Sequence, residues 1–268
     1  MDNIWCTKMS YLTHQETKNM KSLSKYIAVI VIGFASVFAG TTDPSVPDSK
    51  YLEYGTHFKY VGKLCGECKD GSLFCASAVV IKENIILTAA HVVEDYKKCT
   101  ITVEDKEYKV ERFIWPKQYE EKQYGYGDIA IGFVSEPIKL DFYPELYDKE
   151  DEVDKVCCIA GYGITGTFNT GAIKSDTKRR AGSNIIEEID RKLLVCRASR
   201  PYDKRRTSLE FIIASGDSGG GLFIDSKLAG INSCITGSAP DSMKSRYNTD
   251  SCHTRVSEYR RWILDSIE

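Results

Sequence analysis

The sequence predicts an all-β domain finished by one C-terminal α-helix, and two observations carry that expectation. From Phe58 to Ile235, short apolar runs alternate with turn signals, which is the pattern of a sandwich or barrel made of many short strands. Only the C-terminal segment changes period. There Val256, Tyr259, Trp262, Ile263 and Ile267 fall on one face of a helix over about residues 255–267.

Taken in order, residues 41–50 are rich in Pro, Asp and Ser and lack periodicity, so they read as a turn-rich leader. Cys75–Ile81 and Ile85–Ala90 are two strands joined through Lys82, Glu83 and Asn84. Thr100–Val103 turns through Glu104, Asp105 and Lys106 into Tyr108–Ile114, and Asp128–Val134 is another run. Residues 136–154 are acidic, carry Pro137 and Pro144, and read as a connection between two β halves. Beyond them come Val156–Ala160, Lys192–Cys196, Leu209–Ala214, Leu222–Ile224 and Leu228–Ile235, with Asp225, Ser226 and Lys227 closing a hairpin between the last two.

A chain of 268 residues holds one large domain or two small ones. Its 42% hydrophobic and 28% charged content is that of an ordinary globular protein. A formal net charge of -2 gives no electrostatic case for nucleic acid or an anionic surface as partner. The runs Lys178-Arg179-Arg180 and Lys204-Arg205-Arg206 read as solvated loop faces, with processing sites as the alternative. At the N-terminus, Lys21 and Lys25 precede an apolar stretch, Tyr26–Ala39, that ends on small residues. That is a signal peptide over residues 1–39, cleaved after Ala39, and Met20 offers a later start that leaves a compact signal. The stretch falls short of the roughly 20 residues of a membrane span, and an uncleaved anchor is the alternative. The expected division is therefore a signal over 1–39, a leader or short propeptide over 40–50, and one domain over 51–268. Export agrees with ten cysteines, because disulfides persist in oxidising compartments. Loss of Cys6 leaves an odd nine. Cys65-Gly-Glu-Cys68 resembles half of a zinc or redox site, but no second CxxC and no nearby His supports a metal, so structural disulfides are expected.

Chemistry concentrates in Ser215-Gly-Asp-Ser218-Gly-Gly-Gly221, between two apolar runs. Glycines there let a tight turn hold the Ser218 hydroxyl outward and aim the amides of Gly216 and Ser218 at one point, as a developing oxyanion requires. A serine hydroxyl is a weak nucleophile until a base takes its proton. His91 closes Leu87-Thr-Ala-Ala-His91, and Asp128 opens an apolar run, where an acid is costly unless paired. The order His91, Asp128, Ser218 is one of the known orders of a serine-protease triad, whereas subtilisins and α/β-hydrolases use others. By Thr88-Ala-Ala-His91, Asp128-Ile-Ala-Ile131, Gly216-Asp-Ser-Gly-Gly220, Cys157-Cys-Ile-Ala-Gly-Tyr-Gly163 and His253-Thr-Arg-Val256, the chain resembles the trypsin/chymotrypsin-like serine peptidase family.

That resemblance implies two six-stranded antiparallel β-barrels, the first over about 51–140 and the second over about 155–252, with the active cleft between them. It implies a secreted endopeptidase with a His91-Asp128-Ser218 triad and an oxyanion hole at Gly216 and Ser218. Ser233 would support Asp128, and the strand Ser233-Cys234-Ile235 would bind substrate backbone by β-augmentation. Ile212 matches the base of the specificity pocket, so P1 is expected to be apolar or small rather than Lys or Arg. No metal or organic cofactor is implied; partners are protein or peptide substrates and proteinaceous inhibitors, without nucleic acid, on a monomer. Asp217 matches the family acid that pairs with a new N-terminus, with Tyr51 as one candidate amine and an internal partner as the other. Val92, Ala214 and Gly221 stand where the family has two cysteines and a proline, so the disulfide map does not transfer. A catalytically silent relative acting as a binding or regulatory protein, and an esterase, are the competing readings.

Overall fold

The protein is described by a computed structural model at residues 40–120, 123–174, 176–237 and 245–268. The signal read at 1–39 lies outside the described residues. The chain starts with β1 (Thr41–Thr42) and α1 (Asp48–Gly55). Next come β2 (Val61–Cys68), β3 (Leu73–Lys82), β4 (Ile85–Thr88), α2 (Ala90–Val93), β5 (Tyr96–Val103), β6 (Lys106–Ile114), α3 (Lys117–Glu120) and β7 (Ala130–Val134). Six of these strands close a barrel in the order β2-β3-β4-β7-β6-β5. After the connection come β8 (Val156–Gly161), β9 (Thr165–Thr167), β10 (Gly171–Lys174), β11 (Arg180–Asp190), β12 (Leu193–Arg197), β13 (Phe211–Ile212), β14 (Gly221–Ile224), β15 (Lys227–Gly237) and β16 (Thr249–Arg255). A second closed barrel runs β11-β12-β16-β15-β14-β8, and a small sheet runs β10-β9-β1-β13. All barrel pairings are antiparallel. The chain ends in α4 (Val256–Ile267), which buries Val256, Tyr259 and Ile263 as its period required.

The expected hairpins have the turns that their strand twist demands. Glu104 and Asp105 between β5 and β6, and Asp225 and Ser226 between β14 and β15, all have positive φ, the geometry of two-residue hairpin loops. One apolar cluster fills the first barrel and continues across to Phe223, Leu228 and Ile231 of the second and to α4. Phe58 and Tyr60 join the halves, with ring centroids 5.5 and 5.2 Å from Phe223. At roughly 25 cal/mol per Å² of apolar area removed from water, such a shared core favours one fixed arrangement of the barrels.

Two local readings are corrected, the leader and the basic runs. Residues 41–50 are built into the fold: Thr41, Thr42 and Asp43 are buried, β1 pairs with β9 and β13, and α1 begins at Asp48. The Lys178–Arg180 run is not a solvated face. Arg180 is 1% exposed, and its guanidinium holds Asp48 at 2.6 Å and Asp176 at 2.6–2.8 Å. Arg179 donates to the carbonyls of Gly55 and Val61 and to Glu104. These two arginines clamp α1 onto the barrels, because a buried guanidinium is tolerated only when its donors are paired. In the Lys204–Arg206 run, Arg206 likewise pairs with buried Asp43. Cys65 bonds Cys75 across β2 and β3, so the CxxC motif is split rather than used as a unit. Among the described residues, no helix is long and apolar enough to cross a membrane.

Candidate active site

His91 sits in α2, the single turn that follows β4, with Thr88 and Ala89 wholly buried behind it. Asp128 immediately precedes β7, and β4 pairs directly with β7, Thr88 opposite Ala130. The strand pairing therefore delivers the two residues to the same barrel rim. Asp128 Oδ1 accepts the His91 amide at 3.0 Å, and the carboxylate lies 2.9 and 3.1 Å from His91 Nδ1. The other ring nitrogen, Nε2, is 3.0 Å from Ser218 Oγ. With the Nδ1 proton held toward the carboxylate, Nε2 is left as the acceptor facing the hydroxyl.

Asp128 is anchored from the second barrel as well. Ser233 Oγ donates to its Oδ2 at 2.5 Å, Thr254 Oγ1 donates to its backbone carbonyl at 2.8 Å, and Tyr259 on α4 accepts the preceding Gly127 amide at 2.6 Å. Burial alone pushes the Asp128 carboxyl up; the His91 charge, the His91 ring and amide hydrogen bonds and the Ser233 hydroxyl outweigh it, and its pKa lies below the ordinary carboxylate value. This carboxylate remains an anion behind the imidazole.

Ser218 lies in the turn between β13 and β14, and three consecutive amides leaving β8 brace that turn. Tyr162 N donates to Ser77 Oγ, Gly163 N to Asp217 Oδ1 at 2.7 Å, and Ile164 N to the Ser215 carbonyl at 2.7 Å. Fixing the Ser215 carbonyl turns the Gly216 amide of the same peptide to the opposite side. The amides of Asp217, Gly219 and Gly220 are used inside the fold, by the carbonyls of Ala214, Asn232 and Asp217. Among the described residues, those of Gly216 and Ser218 make no such bond. Gly219 has φ +83, and a Cβ there would lie 2.0 Å from Thr88 Oγ1 and 2.2 Å from the Ser77 carbonyl. Only glycine permits the two barrels to approach this closely beside the serine.

Ser77 went unnoticed in the sequence, where it is one small residue in an apolar run. It is fully buried on β3 of the first barrel. Its amide donates to the Ser218 carbonyl at 2.9 Å, its hydroxyl donates to the Gly216 carbonyl at 3.0 Å, and its carbonyl accepts from Thr88. The polar residue at a position otherwise filled by Ala and Val was the available signal.

The remaining sequence-predicted residues are placed as follows. Ser233, Cys234 and Ile235 follow one another on β15, Ser233 buried and the next two half-buried. Ile212 is fully buried on β13, opposite Thr41 of β1. Asp217 is fully buried and accepts from Gly163, Ala214 and, at 2.7 Å, the amide of Gly40. Tyr51 is not near it: Tyr51 lies inside α1, wholly buried, and its hydroxyl accepts the Asp43 amide. The backbone group that reaches Asp217 from this end of the chain is the amide of Gly40, an internal partner eleven positions upstream of Tyr51. Burial pushes Asp217 up to about 7 against the pull of the Ala214 and Gly40 amides and the Arg180 charge. Among the described residues, no group of three or more His, Cys, Asp or Glu side chains is disposed to hold a metal ion.

Comparison with known proteins gives the same architecture. The chain is similar in structure to HL collagenase (TM-score 0.63, 17% identity, covering 86% of this chain and 98% of that one). It is similar to neuropsin, a serine protease expressed in the limbic system of mouse brain (TM-score 0.62, 18% identity, 79% and 95% coverage). It is also similar to an inactivated protease paralogue of the scabies mite (TM-score 0.62, 16% identity, 86% and 97% coverage). No curated protein matches at the level of sequence. At these identities the structural likeness establishes the fold alone, and that fold accommodates an inactivated member. The Trypsin family model matches residues 54–263, and the chain belongs to the trypsin family.

Proposed function

We propose that the protein is a secreted serine endopeptidase that cleaves peptide bonds through an acyl-enzyme intermediate. The single observation that carries this reading is the unbroken hydrogen-bond path from Ser218 Oγ through both nitrogens of His91 to Asp128 and Ser233. In this reading Ser218 attacks the scissile carbonyl while His91 Nε2 takes its proton, then returns it to the leaving amine. Asp128 holds the tautomer and stabilises the imidazolium. The amides of Gly216 and Ser218 receive the oxyanion, a contribution of about 3 kcal/mol per donor in related chemistry. Substrate backbone adds to β15 at Cys234 and Ile235.

Ile212, uncharged and enclosed by β1, offers a cationic P1 side chain no partner, which supports an apolar or small P1 preference. Profiling hydrolysis of peptides varied at P1 tests both points: cleavage after small apolar residues is expected, and preference for Arg or Lys would overturn the specificity reading.

In this reading the same cut that removes the signal also completes the site. Hydrolysis after Ala39 turns the Gly40 amide, 2.7 Å from Asp217, into an α-ammonium that neutralises a buried carboxylate lacking a direct cationic partner. Gly40 has φ +42 and packs against the Phe211 ring so tightly that a Cβ would lie 1.9 Å from Cζ, so a glycine is required there. The form beginning at Gly40 is the active one in this reading, without a further activating cut.

A further inference from the structure

We propose that Cys234 and Cys252 form an oxidisable dithiol that closes into a cross-strand disulfide beneath the proposed substrate strand. The two residues are directly opposed on antiparallel β15 and β16, Cα partner to Cα partner. Cys65 and Cys75 stand in the same relation on β2 and β3 and are bonded. Directly opposed antiparallel positions bring Cα atoms within the range a disulfide spans, about 4.4–6.8 Å. Both residues carry thiols here.

Access to the pair is through Cys234, which is half-buried, while Cys252 is 1% exposed. A cavity of about 220 Å³, lined by Tyr124, Glu188, Asp190, Thr236 and Asp250, reaches Cys252. Around its sulfur, Thr236 Oγ1 lies at 3.7 Å and the Tyr124 hydroxyl at 3.8 Å. Hydrogen bonds from Cys234, Thr236 and Tyr124 hold the Cys252 thiol below its ordinary pKa against the effect of burial. The thiolate is the attacking form in disulfide exchange. The other close pair is different: Cys157 and Cys196, with sulfurs 3.8 Å apart, lie on strands flanking β11, both wholly buried in the apolar core of the second barrel.

The oxidant is a small-molecule disulfide of the glutathione class. Cys234, as its thiolate, attacks one of the oxidant's sulfurs, forming a mixed disulfide on the half-buried residue and expelling one small thiolate. The Cys252 thiolate then attacks Cys234 Sγ, the protein S–S bond forms, and the second small thiolate leaves. Two protein thiols are oxidised and one small disulfide is reduced to two thiols. The closed bond ties β15 to β16 one residue after Ser233, whose hydroxyl holds Asp128. The functional consequence rests on the proposed peptidase activity; bond formation does not.

The test is incubation of the purified protein with oxidised glutathione, alkylation with N-ethylmaleimide under denaturing conditions, and non-reducing peptide mapping. A linked Cys234–Cys252 peptide is expected, absent from Cys252→Ser. Alkylation of both residues in the wild-type protein, or their linkage to other cysteines, would overturn the proposal even if the variant failed to fold. In parallel, peptide hydrolysis by the oxidised protein should fall several-fold on mild reduction, mainly through a higher KM. A linked peptide with no hydrolysis in either state would leave the disulfide standing and remove the peptidase reading instead.

Discussion

The two barrels share a topology and differ in what they bury. The first is an apolar core that encloses the polar residues Ser77 and Thr88, both facing the turn that carries Ser218. The second encloses Arg180, Asn184, Asp217, Asn232, Ser251, His253 and Thr254, each wired to a backbone or side-chain partner. His253, wholly buried, lies between Asn232 Oδ1 at 2.8 Å and Ser251 Oγ at 3.0 Å; Ser251 in turn accepts from the Ile213 amide, and Asn232 donates to the Ala160 carbonyl. The contrast teaches a division of labour. The first barrel supplies His91 and Asp128 from a rim fixed by packing; the second holds a glycine-rich turn in place with hydrogen bonds, whose loss leaves buried groups unsatisfied at about 1–3 kcal/mol each.

The largest effects should come from the residues that span the two. Ser218→Ala or His91→Ala is expected to lower kcat by about 10⁶-fold. Asp128→Asn should lower it by about 10⁴-fold, since the amide favours the wrong tautomer. Single-turnover kinetics on a peptide ester checks all three, and a loss under tenfold for any of them would break the assignment.

Next comes a pH effect confined to the second barrel. Asp217 is raised from 3.8 to about 7 in the fold. Its contribution is complete below about pH 4 and is lost as pH rises through 7, by up to ~1.4 kcal/mol per unit. A chain starting upstream of Gly40 should therefore lose stability over that range, while one starting at Gly40 should not, because its ammonium pairs the new charge. Thermal unfolding of both forms from pH 4 to 7 measures the difference. Parallel curves would contradict the role of Gly40. His253 works in the opposite sense. Burial lowers it from 6.5 to about 3, so its contribution is present above pH 6.5 and drains as pH falls toward 3. His253→Gln should flatten the acid side of the stability curve, and an unchanged slope would show that other groups govern it.

The smallest effect sharpens the inter-barrel contact. Ser77→Ala removes one hydroxyl that joins the Tyr162 amide to the Gly216 carbonyl. A loss of about 1 kcal/mol is expected, read as a roughly fivefold lower kcat with little change in KM. A change confined to KM would place the hydroxyl outside oxyanion-turn positioning.

The same contrast decides what was legible in the sequence. Strands of the first barrel bury apolar side chains, so Cys75–Ile81, Ile85–Ala90 and Tyr108–Ile114 stood out as runs. In the second barrel, β11 and β16 place Arg180, Ser183, Asn184, Thr249, Ser251, His253 and Thr254 inside, and strands of that composition carry no apolar alternation to read. The helix α1 was hidden because its docking depends on Arg179 and Arg180, more than a hundred residues later. At the site, His91, Asp128 and Ser218 stood out by residue type and order, and Ser233 came only with the family resemblance. Ser77 and Gly40 did not, because their roles come from a backbone carbonyl and a buried carboxylate that only the fold brings near.

The central claim is that Ser218 is a nucleophile activated by His91. Labelling the Gly40-start protein with a fluorophosphonate, then locating the adduct by mass spectrometry, tests it most directly. A stoichiometric adduct on Ser218, abolished in Ser218→Ala and in His91→Ala, is the predicted result. No adduct in any processed form of a folded protein would contradict it and leave a binding protein on a peptidase scaffold.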